Sequence, residues 1–193
     1  MSIPSSPEPF FTQYIPERFS GLPGFEQVSS LGSIVFAVPE VGRWSFQLRK
    51  GQLSCERGLA SDCIVRITIP EASFEPIVVR GTERMAGLAL SPDKQMLAFR
   101  ALSLDAERVA QIRAVTGSVS FAVLDGTSNH RVYVTPGSAE PNLAQPECEI
   151  SCESEAFWGL QTGTQNPFEL LMNGKIKITG QAQIPMALSS LFV

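Results

Sequence analysis

Few side chains in this 193-residue sequence combine into a pattern that could support catalysis or bind a metal. A hydrolytic triad needs a histidine beside its nucleophile, and the single histidine, His130, lies in the polar, turn-like stretch 126–131. Four glutamates alternate along one segment and should fall on one side of a strand, most simply the solvent side: Glu147, Glu149, Glu153 and Glu155. We therefore predict no catalytic residue, no metal ligand and no cofactor.

The four cysteines, Cys55, Cys63, Cys148 and Cys152, also lack the clustering with histidine that a zinc site requires. Cys148 and Cys152 lie four positions apart in a strand-like run, so their side chains should point to the same face. Free cysteine behaves as a small apolar residue and is commonly buried. We predict buried free thiols rather than a redox pair.

Charge and hydropathy narrow the possible partners. The net charge of −4 and the predicted pI near 5.1 disfavour a surface that binds a phosphate backbone. We predict no nucleic-acid partner, because no run of Lys and Arg is interleaved with aromatic residues. No apolar stretch approaches the length of a membrane span and the N-terminus lacks a signal-peptide pattern. We expect no integral membrane span and a cytoplasmic protein.

The first part of the chain reads as a short helix followed by a meander. Apolar residues at spacings of three and four predict a helix over 10–19, interrupted at Pro16. Alternating or β-branched runs then predict a series of strands: 34–38, 44–49, 52–56 and 64–69. A helix is expected over 71–79, and Gly81 is expected to stop it.

A second meander follows two further helices, which we expect over 94–102, with Ser91 as the cap, and over 104–115. The stretches 32–38 and 117–123 share the pattern Gly-Ser-x-x-Phe-Ala-Val, at a displacement of 117 − 32 = 85 positions. Similar strands and an F-containing helix follow each copy in the same order. We interpret the series as an internal duplication, with a truncated unit over 1–82 and a nearly complete unit over 83–193.

The C-terminal stretch is the most distinctive. Residues 168–180 indicate a helix end, a glycine stop at Gly174 and a strand with Ile176 and Ile178 on one face. The run from Asn166-Pro167 through Gly174-Lys175-Ile176-Lys177-Ile178-Thr179-Gly180 to Leu188–Leu191 resembles the end of a sterol carrier protein-2 domain, which is a sterol-binding, non-specific lipid-transfer domain. Residues 109–112, 121–126 and 157–163 fit the same resemblance, which covers about 84–193.

The resemblance implies an α+β fold of two sterol-carrier-like units, with antiparallel-rich sheets and helices packed on one face. It also implies a tunnel between sheet and helices, gated by the C-terminal helix. The implied ligand-binding wall is Phe121, Val123, Val132, Val134, Phe157, Leu160, Phe168, Leu171 and Met172. The implied lid is Met186, Leu188, Leu191 and Phe192.

Three functions follow from this reading. The first is a non-catalytic carrier of a hydrophobic small molecule or lipid, serving as an accessory factor in a biosynthetic pathway. The second is a peptide- or protein-binding module, or a homodimer, that uses an exposed sheet edge or apolar face. The third is a cavity enzyme of the isomerase or cyclase type, with Tyr133, Glu149 or Asp125 as proton donor.

Overall fold

A computed structural model of the chain describes residues 2–19, 27–86, 88 and 97–191. Its centre is an eight-stranded sheet in the order β3-β2-β1-β4-β6-β5-β7-β8. The strands, in chain order, are β1 Ser33–Val38, β2 Gly42–Arg49, β3 Gln52–Arg57, β4 Cys63–Thr68, β5 Val119–Asp125, β6 Ser128–Pro136, β7 Cys148–Glu153 and β8 Ile176–Gly180. The predicted α+β class is confirmed, and the strands of both predicted units join this one sheet.

The same pairing pattern occurs in both halves of the sheet. β1 is antiparallel to β2 and parallel to β4, while β5 is antiparallel to β6 and parallel to β7. The halves meet where β4 and β6 pair antiparallel, with Ile67 opposite Val134. The outer side of β4, which would be an open edge if the first half stood alone, is therefore hydrogen-bonded within the chain. The duplication itself and the boundary at 82 remain predictions.

Within the described ranges, six helices accompany the sheet. Consecutive helical segments form α1, over 7–18, and α2, over 71–86. The others are α3 Ala106–Ala114, α4 Ser154–Thr162, α5 Pro167–Met172 and α6 Gln183–Ala187, with 3-10 turns at Leu97–Ser103 and Ser189–Leu191. The cap predicted at Ser91 lies outside the described residues. No helix in the described part of the chain is long and apolar enough to cross a membrane.

The stop predicted at Gly81 is wrong, because α2 continues to Ala86. A Cβ atom at position 81 would lie 2.5 Å from the indole ring of Trp158 on α4. The absent side chain lets the two helices approach each other, so this glycine serves packing rather than termination. The sequence of α2 alone cannot predict this packing, because Trp158 lies on another helix, far away in the chain.

Helices cover one face of the sheet and loops cover the other. Phe46 of β2 points to the helix side, where its ring lies 6.0 Å from that of Phe11 in α1. The neighbouring Ser45 points to the opposite face, and its hydroxyl donates to the carbonyl of Gly58, at 2.6 Å. On that reverse face the Tyr133 hydroxyl donates to the Leu143 carbonyl, at 2.9 Å. Loops 58–62 and 137–147 therefore lie against the reverse face.

Candidate ligand-binding cavity

An apolar cavity of about 290 Å³ lies between the helices and the middle of the sheet. Its floor comes from strands of both halves, on either side of the β4–β6 pair. Phe36 of β1 and Ile67 of β4 stand beside Val134 of β6 and Phe121 of β5. These side chains share one face because the register places Phe36 opposite Ile67 and Ile67 opposite Val134. We call the β4–β6 pair the seam of the sheet. The strands on either side of this seam thus form the floor of the cavity.

Three of the described helices form the walls and roof, together with Phe99, Ala101 and Leu191 from the 3-10 turns. The helix α1 contributes Phe10, Phe11, Tyr14, Ile15 and Arg18. Ring contacts hold α1 in place: Phe11 lies 4.8 Å from Trp44 of the sheet, and Phe10 lies 5.5 Å from Phe74 of α2, centroid to centroid. Such aromatic pairs add to the free energy gained by burial alone. The roof is therefore part of the aromatic core rather than a loosely attached segment.

The helices α2 and α4 meet at another side of the cavity, where Gly81 and Trp158 both line it. The Trp158 ring lies 4.9 Å from that of Phe157 in an edge-to-face arrangement. The guanidinium of Arg84 stands 5.4 Å from the Trp158 ring centroid, a cation–π distance. Trp158 therefore packs against Gly81, Phe157 and Arg84 where it lines the cavity.

The polar residues of the lining are few. Arg18 is exposed, and no acidic side chain in the described part of the chain forms an ion pair with it. The Thr82 hydroxyl donates to the carbonyl of Val78, at 2.7 Å, and Gln161 is half-buried. No acidic residue is among the described lining residues. The cavity therefore combines an apolar interior with one cation at its rim, a combination that suits an amphiphilic guest.

The structure brings together only part of the ligand wall expected from the sequence. Five of the thirteen residues line the cavity: Phe121, Val132, Val134, Phe157 and Leu191. Val123 and Leu188 are buried away from it. Leu160 packs against a separate small cluster around Leu170 and Ile176. The remaining described side chains are exposed: Phe168, Leu171, Met172 and Met186. Phe192 lies outside the described residues.

Most of the cavity lining precedes residue 99, and the sequence reasoning did not assign it to the site. The signal was present in α1, where Phe10, Phe11, Tyr14 and Ile15 recur at helical spacing. That spacing predicts a buried helix face but not the surface that covers it. The contribution of α2, through Ile77 and Val78, was equally hidden, because periodicity does not distinguish a core side chain from a cavity side chain.

The residues considered as proton donors do not line the cavity. Tyr133 is buried on the reverse face of the sheet, with its hydroxyl bonded to Leu143. Glu149 forms an ion pair with Arg131, at 2.9 Å, and Asp125 is exposed at a turn. Within the described ranges no group of three or more His, Cys, Asp or Glu side chains could hold a metal ion.

The cysteines are free and shielded. Cys63, Cys148 and Cys152 are buried, as predicted, while Cys55 is half-buried. Burial raises the pKa of the Cys55 thiol to about 12 and that of Cys63 to about 11. Because the thiolate is the reactive form, such thiols are poor nucleophiles near neutral pH. Cys55, Cys148 and Cys152 thus serve as apolar packing groups.

An apolar cavity enclosed by a sheet and helices is typical of domains that bind small hydrophobic molecules, and the comparisons with known proteins agree with this class. Residues 99–193 match the SCP-2 sterol transfer family. The chain therefore contains a domain of that family at residues 99–193, as the resemblance in the sequence indicated. The comparison with curated proteins found no match.

Several solved structures are similar to this chain. The sterol carrier protein domain 2 of Helicoverpa armigera is 25% identical, covers 54% of this chain and 91% of its own, and has a TM-score of 0.35. The apo sterol carrier protein 2 of Yarrowia lipolytica is 17% identical, with coverages of 53% and 88% and a TM-score of 0.37. The Aedes aegypti protein in complex with palmitate is 18% identical, with coverages of 55% and 97% and a TM-score of 0.37.

Proposed function

We propose that this protein is a non-catalytic carrier that binds a hydrophobic small molecule or lipid in the cavity at the sheet seam. The observation that carries the proposal is the cavity itself, about 290 Å³ of largely apolar space. It lies in a chain whose residues 99–193 belong to a sterol transfer family. In this role the protein would serve as an accessory factor that delivers a poorly soluble intermediate to an enzyme of a biosynthetic pathway.

Binding would be driven by removal of apolar surface from water. A guest that buries about 400 Å² gains on the order of 10 kcal/mol at about 25 cal/mol per Å². Loss of translational and rotational freedom takes back about 4 kcal/mol or more. The balance, about 6 kcal/mol or less, corresponds to a dissociation constant of about 40 µM or weaker. Few polar groups line the interior, so shape and length rather than hydrogen bonding would select the guest.

The position of the cavity makes both parts of the chain necessary for binding. The floor includes Phe36 and Ile67 from the first half and Phe121 and Val134 from the second, and α1 closes the roof. A guest would therefore contact residues on both sides of the β4–β6 pair. The segment that matches the family would lack much of the wall if it stood alone.

The test combines ligand detection with a blocked cavity. Native mass spectrometry of the full chain purified from its own host should show a co-purified apolar molecule. A fluorescent fatty acid should bind, and Ile67→Phe should weaken this binding about tenfold, because the larger side chain occupies the floor. Ile178→Phe is the matched control, since Ile178 is 41% exposed and does not line the cavity.

Two outcomes would count against the carrier. A clean apo mass together with no uptake of the fluorescent fatty acid would show that the cavity holds no guest. Equal weakening by Ile67→Phe and Ile178→Phe would show that the probe binds elsewhere on the surface. Circular dichroism of both variants separates loss of binding from loss of fold.

A further inference from the structure

The middle of the reverse face is polar but buried. The register places Arg66 opposite Thr135 and Thr68 opposite Tyr133 across the seam, and Ser120 stands beside Tyr133 on β5. Each of these five side chains is at most 3% exposed. Polar groups that are buried in folded proteins almost always have hydrogen-bond partners. The seam patch, as we call these five residues, should therefore be bonded to something.

Most polar atoms of the seam patch have no hydrogen-bond partner in the part of the chain that the structure describes. The Tyr133 hydroxyl donates to the Leu143 carbonyl, at 2.9 Å. The groups without a partner among the described residues are the hydroxyls of Thr68, Ser120 and Thr135, and Nε and Nη2 of Arg66. Burying a polar group without a partner is costly, because its bonds to water are lost. A cluster of such groups points to a second state in which water or a ligand bonds to them.

Two polar contacts hold the middle of loop 137–147 over the seam patch. The Glu140 carboxylate bridges two guanidinium groups, with Oε2 2.5 Å from Nη1 of Arg66 and Oε1 2.8 Å from Nη2 of Arg43. The Leu143 carbonyl accepts the hydrogen bond from Tyr133. The Glu140 side chain is 61% exposed, and the loop lies between the end of β6 and the start of β7. Glu140 can therefore turn outward without breaking a strand pair.

An open cleft of about 580 Å³ lies beside Glu140 and gives a solute access to the seam patch. Thr68 of the patch lines this cleft, together with Val41 and with Pro141 and Leu143 of the loop. The cleft has room for a small organic acid, since pockets of about 300–1,000 Å³ hold drug-sized molecules. The unbonded hydroxyl of Thr68 thus belongs to a side chain that a solute in the cleft would meet.

Glu140 balances the positive charge at this place. The other charged residues that line the cleft, or pair with residues of its lining, are Arg43, Arg57, Arg66, Glu8 and Glu40. Their sum is 3 − 2 = +1, so the departure of Glu140 leaves one cation unbalanced. Elsewhere on this face, Glu149 is paired with Arg131, and Glu56 stands on the outer strand β3. A carboxylate from solution would restore the balance that Glu140 provides.

We propose that the seam patch is a binding site for a small organic carboxylate, and that Glu140 of loop 137–147 closes the site as a tethered substitute for that ligand. The ligand carboxylate takes the place of the Glu140 carboxylate between Arg66 and Arg43, because guanidinium groups pair with carboxylates in a defined geometry. The Thr68 hydroxyl then gains an acceptor. A carboxylate is favoured over other anions because a carboxylate already occupies this place. The site lies on the face opposite the cavity and does not depend on the proposed carrier function.

The first experiment is a chemical rescue in the full chain. Glu140→Ala removes the tethered carboxylate and leaves space for a free one. Sodium acetate should raise the folded-to-unfolded ratio of Glu140→Ala several-fold in urea denaturation, relative to sodium chloride at equal ionic strength. The reason is that a ligand that binds only the folded form stabilises it. Wild type should respond weakly, because its own carboxylate competes with acetate.

Two further variants show whether acetate acts at Arg66. The double variant Arg66→Met/Glu140→Ala should not respond to acetate, since it lacks the buried guanidinium. Glu56→Ala is the matched control, because it removes a carboxylate from an exposed position on β3, and it should respond as wild type does. A response that all variants share would be a general effect of the salt.

Hydrogen exchange tests the opening of loop 137–147 in wild type. Succinate should increase deuterium uptake by peptides within 138–146, relative to sodium chloride at equal ionic strength, because the ligand displaces Glu140 and with it the loop. Uptake by β5 should not change, since the strand pairs stay intact.

Three outcomes would overturn the proposal. The first is the lack of any acetate response by Glu140→Ala, and the second is an equal response by this variant and the Arg66→Met/Glu140→Ala variant. The third is unchanged exchange of the loop in succinate, because Glu140 would then be a fixed structural ion pair. Should Glu140→Ala not fold, the exchange experiment on wild type decides. Fatty-acid uptake enters none of these measurements, so failure here is distinct from failure of the carrier function.

Discussion

The guanidinium of Arg66 contacts the carboxylate of Glu140 across the face of the sheet that is opposite the cavity, with 2.5 Å between Nη1 and Oε2. Arg66 stands on the central strand β4 with its side chain wholly buried, whereas the Glu140 side chain is 61% exposed. Glu140 belongs to loop 137–147 and also accepts a hydrogen bond from Arg43, at 2.8 Å. A single carboxylate thus faces a buried cation and an exposed one.

We expect Glu140→Gln to lower the free energy of unfolding by about 2–4 kcal/mol. The substitution leaves a buried guanidinium without its counter-charge, which is costly away from water, although the exposure of Glu140 moderates the loss. Arg43→Gln is the control and should cost less than about 1 kcal/mol, because it removes only a surface ion pair. Urea denaturation measures the free energy of unfolding of both variants. Equal losses of stability in Glu140→Gln and Arg43→Gln would refute the distinction between the buried and the exposed ion pair.

The Glu140 variant also separates stability from ligand binding. The ion pair lies on the reverse face of the sheet, so ligand uptake by the folded Glu140→Gln protein should match that of wild type. Arg66→Met should restore most of the stability in the Glu140→Gln background, because an apolar side chain of similar length removes the unpaired charge. A variant that stays unstable would place the effect in the loop rather than in the pair.

Arg18 should discriminate between guests by charge. Its guanidinium lies at the rim of an apolar cavity and forms no ion pair with the acidic residues that the structure describes. We expect Arg18→Met to weaken binding of a fluorescent fatty acid roughly fivefold, a modest effect because the group is exposed. Binding of the corresponding fatty alcohol should not change. Arg49→Met, on β2, is the control, and equal losses for acid and alcohol would contradict the role of the charge.

The sequence predicts the individual strands better than it predicts their assembly. The shared pattern around Phe36 and Phe121 correctly places a strand in each half, because alternation and β-propensity are local properties. The pairing of Ile67 with Val134 joins residues far apart in the chain, and no local pattern encodes it. Since the cavity lies over this seam, its location was hidden for the same reason.

The C-terminal residues show a second limit. Phe168 and Met172 are apolar and lie at helical spacing, and the resemblance to sterol carrier domains assigned them to a cavity wall. Periodicity reports only that a helix has an apolar side. It does not report whether a sheet, a bilayer or solvent covers that side. The structure shows Leu170 facing inward and its neighbours facing out, so the buried face of this helix is the narrower one.

Gly81 should control the closeness of α2 and α4. We expect Gly81→Ala to destabilise the protein by about 1 kcal/mol, because overpacking against Trp158 costs about 1–3 kcal/mol and improved helix propensity returns up to about 1 kcal/mol. Displacement of the indole should also change fatty-acid affinity, since Trp158 lines the cavity. The double variant Gly81→Ala/Trp158→Phe should recover stability. Additive losses in thermal denaturation would show that the two positions do not interact.

Glu147 should make the stability of the protein depend on pH, because its carboxylate bonds to Ser118 just before β5. Its carboxylate accepts hydrogen bonds from the Ser118 amide, at 2.7 Å, and from the Ser118 hydroxyl, at 2.9 Å. The backbone hydrogen bond from Ser118 is the main cause that lowers the pKa of Glu147 from its ordinary value of 4.5. Because folding favours the ionised form, this contribution to stability is fully present above pH 4.5 and is lost as the pH falls through the lowered pKa.

The expected result is a pH-dependent gap between wild type and Glu147→Gln. Glu147→Gln should be less stable than wild type near neutral pH, since an amide oxygen accepts the two hydrogen bonds more weakly than a carboxylate. The gap should narrow as the pH falls below 4.5 and through the lowered pKa of Glu147, where wild type becomes protonated at this position. Glu56→Gln, an exposed change on β3, controls for general charge effects. Urea denaturation at several pH values decides the matter, because a gap that is constant or widens in acid would mean that the ionised carboxylate does not fasten β5 to β7.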